Sequence, residues 1–273
     1  MSYPSFTKIS LLKLTKLKLK QSLIGDIIYN RNIHVYSVGL ERTGTSFINS
    51  IFSTNFRSLH EPEWRLLMHI MLYTNNQNSD IILNKWKNWF IQRDRSLRLE
   101  VESSHFLGPF VPLLKDTFPE SKFILTIRHP KSWLKSVVNW QLNHSLLQQN
   151  NRWKPVIDNY YKSHKPALIP ILKNNGLFSL DGYLNKWYCH NKLILDSVPR
   201  ERLLVLKTTD LSRSLDQISD FIKVPKSKIV LPSKREHNSN PKLENFIESI
   251  PKRELENSIR QNCKDIYVKY FDS

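Results

Sequence analysis

The stretch Ile33-His34-Val35-Tyr36-Ser37-Val38-Gly39-Leu40-Glu41-Arg42-Thr43-Gly44-Thr45-Ser46-Phe47 decides the fold. Its first part, Ile33 to Val38, is rich in β-branched and aromatic residues and stops at Gly39, which reads as a strand. An apolar-periodic helix from Phe47 to Phe56 follows. Between them Gly39 to Gly44 forms a G-x-x-x-x-G frame, in the strand-loop-helix context where backbone N–H groups and a helix N-terminus hold an anion. Where nucleoside triphosphatases carry lysine after the second glycine, this chain has Thr45, and the loop's positive charge sits at Arg42. Arg42 can reach one terminal group while the Thr45 and Ser46 hydroxyls and the backbone hold the neighbouring phosphate. That arrangement suits a short anion better than a magnesium triphosphate. Asp210, the nearest acidic metal-ligand candidate, is cut off from the apolar run Leu203 to Leu206 by Lys207, so no metal is expected.

Outward from this unit, strands alternate with helices. Helical stretches near Trp64 to Leu72 and Ile81 to Ile91 read as a cap beside the sheet, joined by a polar linker. A second strand is expected at Leu97 to Val101 and a helix around Phe110 to Thr117. A third strand, Lys122 to Ile127, runs into a helix from Pro130 to Trp140. After an irregular insert of about residues 143–180, a helix from Tyr183 to Ser197 is expected. Beyond it come a strand from Arg202 to Leu206, a helix from Leu215 to Ile222, a polar loop from Ser233 to Asn240 and a terminal helix from about Pro251. The alternation predicts an α/β fold, a parallel sheet flanked by helices, with ligands beyond the carboxyl ends of the strands.

The chain's 273 residues fit one domain over residues 31–273, preceded by a basic leader over residues 1–30. Its formal charge of +17 favours polyanionic ligands and narrows their class only that far. Cys189 and Cys263 have no paired or metal-ligand spacing, which fits a reducing compartment and a cytoplasmic location. No apolar run reaches the roughly 18 residues of a transmembrane helix. The Leu/Lys alternation from Thr7 to Lys20 reads either as an amphipathic helix lying on a membrane surface or as a flexible or packed leader.

The third strand ends in Ile127-Arg128-His129-Pro130-Lys131-Ser132-Trp133-Leu134-Lys135-Ser136, which puts Arg128 at the mouth of the site and Ser136 about two turns into the next helix. An arginine and a hydroxyl so placed can meet on one anion. With these residues in view, the chain resembles the sulfotransferase superfamily, nearest to its carbohydrate-type and bacterial members, whose fold is P-loop-like. Arg42 with Thr43-Gly44-Thr45-Ser46 is similar to the family's 5′-phosphosulfate loop, and Arg128 with Ser136 to its 3′-phosphate motif. The resemblance runs from about Ile33 to Pro225, through Phe118-Pro119-Glu120-Ser121 and the run Arg202 to Lys207 with Asp210-Leu211. It implies transfer of a sulfuryl group from 3′-phosphoadenosine 5′-phosphosulfate to a hydroxyl or amine, with carbohydrate or lipid acceptors favoured. Arg42 would contact the sulfuryl group, Arg128 and Ser136 the 3′-phosphate. Phe47 falls where many cytosolic members stack a tryptophan on adenine; packing in the core explains it equally well. Two departures stand out: the Gly-rich basic C-terminal motif is missing, and Thr208-Thr209-Asp210 replaces a frequent Tyr-Glu-Asp.

Transfer needs a base for the acceptor's proton. Glu61, in His60-Glu61-Pro62, resembles the glutamate of carbohydrate-type enzymes, and His105 resembles the catalytic histidine of cytosolic members. Both remain candidates, with Glu63 behind them. From other classes, a P-loop kinase or triphosphatase is disfavoured by Thr45. A basic nucleic-acid or anionic-membrane binder fits the charge but shows no zinc-finger spacing or aromatic RNA-binding signature.

Overall fold

A computed structural model of the chain describes residues 30–74, 80–143, 169–232 and 250–272, with Ser22, Ile27, Ile28, Asp158, Tyr161 and Ile247 besides. Most of the basic leader, most of the insert and the loop from Ser233 to Asn240 lie outside the described residues.

Among the described residues the sheet has five strands: β1 (Val35–Ser37), β2 (Ser58–His60), β3 (Val101–Ser103), β4 (Lys122–Ile127) and β5 (Leu203–Lys207), in the order β2-β3-β1-β4-β5. Every pairing is parallel, with Tyr36 opposite Glu102 on one side and Phe123 on the other. From β1 the chain first moves out to β2 and returns, then builds β4 and β5 on the opposite side. That reversal opens a crevice at the carboxyl end of β1, where ligands of such sheets bind.

The helices that follow the strands cover both faces. On one, α1 (Thr45–Phe52) buries Ile48, Ile51 and Phe52, and the later helix Leu215–Ile222 buries Ile218 and Ile222, against Val35, Val101, Ile124 and Leu206. On the other, α2 (Trp64–Thr74), α3 (Asp80–Leu97) and α4 (Val111–Thr117) surround Tyr36, Phe123 and Leu125. The tryptophan-rich helices expected as a cap therefore form one layer of the core. Beyond β4, α5 (Pro130–Asn143), α6 (Pro170–Asn174) and α7 (Leu180–Ser197) pack with the terminal helix around Trp133, Tyr183 and Trp187. Numbering in chain order makes Leu215–Ile222 α8 and Lys252–Phe271 α9.

The expected helices fall close to the observed ones; the strands differ in two places. The second strand begins at Val101 rather than Leu97, because α3 continues through Leu97 and Arg98 turns the chain at φ 51°. Glu102 then meets Arg93 of α3 in a two-pronged pair, 2.7 Å on each arm, which ties the helix end to the strand. The edge strand β2 was not expected at all: it has three residues, largely exposed, with too short an alternation to read.

His190, on α7, lies beneath β1 and places Nε2 2.8 Å from the Val38 carbonyl oxygen. A Cβ on Gly108 would come within 2.2 Å of the His190 ring, so the glycine makes room for it. Burial holds the His190 pKa down at about 4 against the pull of Val38, and burial together with the Arg31 charge holds His34 at about 3. Both imidazoles stay neutral in the folded chain while unfolded ones take up a proton below about pH 6.5. Stability is therefore expected to fall as pH drops from 7 to 5, by about 1–2 kcal/mol per histidine. Urea titrations at the two pH values check this, and equal midpoints would contradict it.

Candidate active site

Each strand delivers one part of the site at its carboxyl end. In sheet order these are Glu61 after β2, His105 after β3, the loop Gly39 to Gly44 after β1, Arg128 after β4 and Thr208 after β5.

The loop is built from close backbone contacts. A Cβ at Gly39 would lie 2.0 Å from Thr126 Oγ1, and one at Gly44 2.4 Å from a Leu211 methyl, with Gly44 at φ 108°. Neither position accepts a side chain. Thr43 Oγ1 donates to the Leu40 carbonyl at 2.6 Å and lies 2.7 Å from Thr126 Oγ1. Thr208 Oγ1 donates to the Thr43 carbonyl at 2.6 Å, which gives the departure at Thr208 a role in fixing the loop to the end of β5. Ser103 Oγ donates to the Thr45 carbonyl at 2.7 Å, and Thr45 Oγ1 is 3.2 Å from His60 Nε2. Helix α1 begins at Gly44 with no side-chain cap, so its first-turn N–H groups and the positive end of its dipole face the loop. Ser46 is exposed there, and Phe47 is half-buried, packed against the core on the α1 face.

The two arginines meet over this loop. Arg128 Nη1 donates to the Arg42 carbonyl at 2.9 Å, and its own carbonyl accepts Trp187 Nε1 at 3.0 Å. Two α5 hydroxyls serve the pair: Ser136 Oγ accepts from Arg42 Nε at 3.1 Å, while Arg128 Nε reaches Ser132 Oγ at 3.2 Å. Ser132 and Ser136 are one helical turn apart on α5 and so present hydroxyls side by side. Burial, opposed by Glu41, lowers the Arg42 pKa; burial and then the neighbouring Arg42 lower that of Arg128. Both guanidiniums stay charged, so their proximity is a repulsive cost that a bound polyanion offsets.

Glu61 and His105, expected as competitors, form one unit, with His105 Nδ1 2.6 Å from Glu61 Oε1. Glu61 adopts φ 50° at the end of β2, and its backbone N–H donates to the Ser103 carbonyl at 2.9 Å. Burial raises its pKa, but the charge and hydrogen bond of His105, helped by His60, outweigh this and leave it lowered. Glu63 is turned elsewhere and accepts from Arg93 at 2.8 Å. Phe106 packs on His105 with ring centres 3.8 Å apart, and Trp64 stacks on Phe106 at 6.0 Å. Asp210, weighed as a metal ligand, pairs with Arg213 at 2.7 Å.

Sequence reading missed Glu41 and Lys186. Glu41 is ion-paired with Lys186 of α7, and its carboxylate also accepts from Tyr161 at 3.0 Å. Its backbone carbonyl accepts Trp133 Nε1 at 2.9 Å. Burial pushes the Glu41 pKa up, but the Lys186 charge, helped by that of His105, prevails and holds it at about 2.

Among solved structures, the chain is similar to a sulfotransferase from Alicyclobacillus acidocaldarius (15% identity, 85% of this chain and 95% of that one covered, TM-score 0.44). It is also similar to the sulfotransferase domain from the curacin biosynthetic pathway (14% identity, 75% and 78% covered, TM-score 0.42). A third is the sulfotransferase domain from the Synechococcus PCC 7002 olefin synthase (14% identity, 86% and 96% covered, TM-score 0.43). No curated protein matches the chain. Residues 34–239 match the family model described as a sulfotransferase domain, a span that takes in β1, the loop, the Glu61–His105 pair, Arg128 and β5. The chain belongs to the sulfotransferase family.

Proposed function

We propose that this chain transfers a sulfuryl group from 3′-phosphoadenosine 5′-phosphosulfate to a hydroxyl or amine, on a carbohydrate or lipid acceptor. The observation that carries this reading is the joined pair Arg42 and Arg128, one from the loop after β1 and one from the end of β4, linked through the Arg42 carbonyl at 2.9 Å. A donor with an anion at each end of one adenosine suits two such cationic anchors.

In the proposed reaction the acceptor oxygen or nitrogen attacks sulfur and the bond from sulfur to the 5′-phosphate oxygen breaks. The electron pair leaves with adenosine 3′,5′-bisphosphate. Arg42, with the loop amides and the hydroxyls of Thr45 and Ser46, stabilises charge on the sulfuryl and leaving phosphate. Arg128, with Ser132 and Ser136, holds the 3′-phosphate, and Phe47 lies beside the adenine. With its Nδ1–H donating to the Glu61 carboxylate, His105 uses Nε2 to take the acceptor's proton, and Glu61 fixes that tautomer. The aromatic surface of Phe106 and Trp64 beside this base suits the C–H face of a sugar or a lipid chain, and supports those acceptors.

The reading extends to the rest of the chain: residues 31–273 form one catalytic domain, an acceptor-facing insert occupies about residues 143–180, and the leader of residues 1–30 touches an anionic membrane. The free thiols of Cys189 and Cys263 support a cytoplasmic location. Among the described residues, no helix is long and apolar enough to cross a membrane.

Incubation with donor labelled in its sulfuryl group and a panel of sugars, lipids and phenols tests the proposal; label in none of them, with donor left intact, would count against it. Within that assay His105→Asn is expected to lower kcat at least about 100-fold. Glu61→Gln should leave measurable turnover with an altered acidic limb of the pH–rate profile, where the base takes up its proton. Full activity in His105→Asn would remove it as the base.

A further inference from the structure

Arg42 can act only if the loop presents it, and its backbone is unfavourable by itself. It sits at φ 65°, a left-handed conformation that a branched or long side chain adopts only when its surroundings enforce it. The enforcing contacts fall on the residue just before it. The Glu41 side chain is 14% exposed and the Lys186 side chain 3%, so the ion pair between them is shut away beneath the loop. Lys186 Nζ also lies 3.9 Å from the centre of the Tyr161 ring, whose hydroxyl donates to the same carboxylate oxygen at 3.0 Å. Tyr161 OH in turn accepts from Gln141 Nε2 of α5 at 2.7 Å. The Glu41 carbonyl is held by Trp133 of α5 at 2.9 Å, so both the side chain and the main chain of this residue are pinned. Among the described residues Oε2 of Glu41 is buried without a hydrogen-bond partner, so the carboxylate is anchored through its other oxygen.

We propose that Lys186, through Glu41, is a positioning residue for sulfuryl transfer: it pegs the loop from below so that Arg42 is presented to the transferring group rather than to solvent. A buried ion pair is a costly way to stabilise a fold, since an apolar replacement of similar volume is often neutral or better. A fixed orientation at the catalytic loop is a function that apolar packing does not supply. Lys186 reaches the loop through its ion pair with Glu41, next to Arg42, so the peg should govern turnover more than the grip on the bisphosphate product.

The inference rests on Arg42 acting on the sulfuryl group, and the test separates the two claims. Lys186→Met strands the Glu41 charge, so the double variant Glu41→Gln with Lys186→Met, which leaves no buried charge, is measured beside it. Expected in the folded double variant is a loss in kcat of about 30-fold or more, with the dissociation constant for adenosine 3′,5′-bisphosphate within about threefold of wild type. Tyr161→Phe should lower kcat by a smaller factor in the same direction. Wild-type kcat in the double variant would overturn the proposal, as would parallel losses of turnover and bisphosphate binding, which mark a merely structural pair. If Arg42→Ala itself keeps wild-type kcat, the reading of Arg42 fails; if Arg42→Ala is inactive while the double variant is not, only the role of Lys186 fails.

Discussion

Replacement of Arg42 by alanine is expected to lower kcat by about 100- to 1000-fold, the usual cost of removing one preorganised donor from developing charge. The argument follows from where Arg42 sits. It lies in the loop after β1, beside the N-terminus of α1, with its Nε 3.1 Å from Ser136 Oγ. Its guanidinium is half-buried, so solvent screens its field only in part. The sulfuryl group is absent from the bisphosphate product, so binding of that product should weaken far less than turnover. The fold should survive, because the Arg42 side chain contributes to none of the three apolar clusters. Steady-state kinetics with product titration check both halves, and wild-type kcat in a folded variant would remove Arg42 from the mechanism.

Arg128→Ala is expected to act the other way round, weakening bisphosphate binding by at least about 30-fold, or about 2 kcal/mol, while turnover at saturating donor falls much less. Arg128 stands at the end of β4, and its guanidinium spans the Arg42 carbonyl at 2.9 Å and Ser132 Oγ at 3.2 Å. Losing it removes a charge that the 3′-phosphate needs, and also a hydrogen bond to the loop backbone. Some loss of kcat is therefore expected as well. Ser136→Ala should do less to binding than Arg128→Ala, since the Ser136 hydroxyl is shared with Arg42. Unchanged bisphosphate affinity in Arg128→Ala would show that the 3′-phosphate is held elsewhere.

Most of the site could be read from local sequence because its parts sit where strand signals end. The run before Gly39 and the run before Arg128 are each apolar and β-rich, and the alternation with helices fixes which ends of the strands meet. The relations across the sheet could not be read that way. Glu61 and His105 are 44 residues apart and looked like competitors, because only the pairing of β2 with β3 brings their loops together. β2 itself gave no signal, since three residues on an exposed edge need no apolar alternation. Lys186 stands 145 residues from Glu41 and reads locally as one polar position on an amphipathic helix. Its burial is decided by the packing of α7 against the loop. Ser132 could not be read that way: only the rotation of α5 puts its hydroxyl beside Arg128 and the Ser136 hydroxyl beside Arg42.

The central claim is that Arg42 and Arg128 hold the two anionic ends of one 3′-phosphorylated adenine nucleotide. Calorimetric titration of the wild-type chain with adenosine 3′,5′-bisphosphate, in parallel with ATP and magnesium, tests it most directly. Binding of the bisphosphate at least about 30-fold tighter than ATP, lost on Arg128→Ala, is the predicted result. Equal or tighter binding of ATP would contradict it.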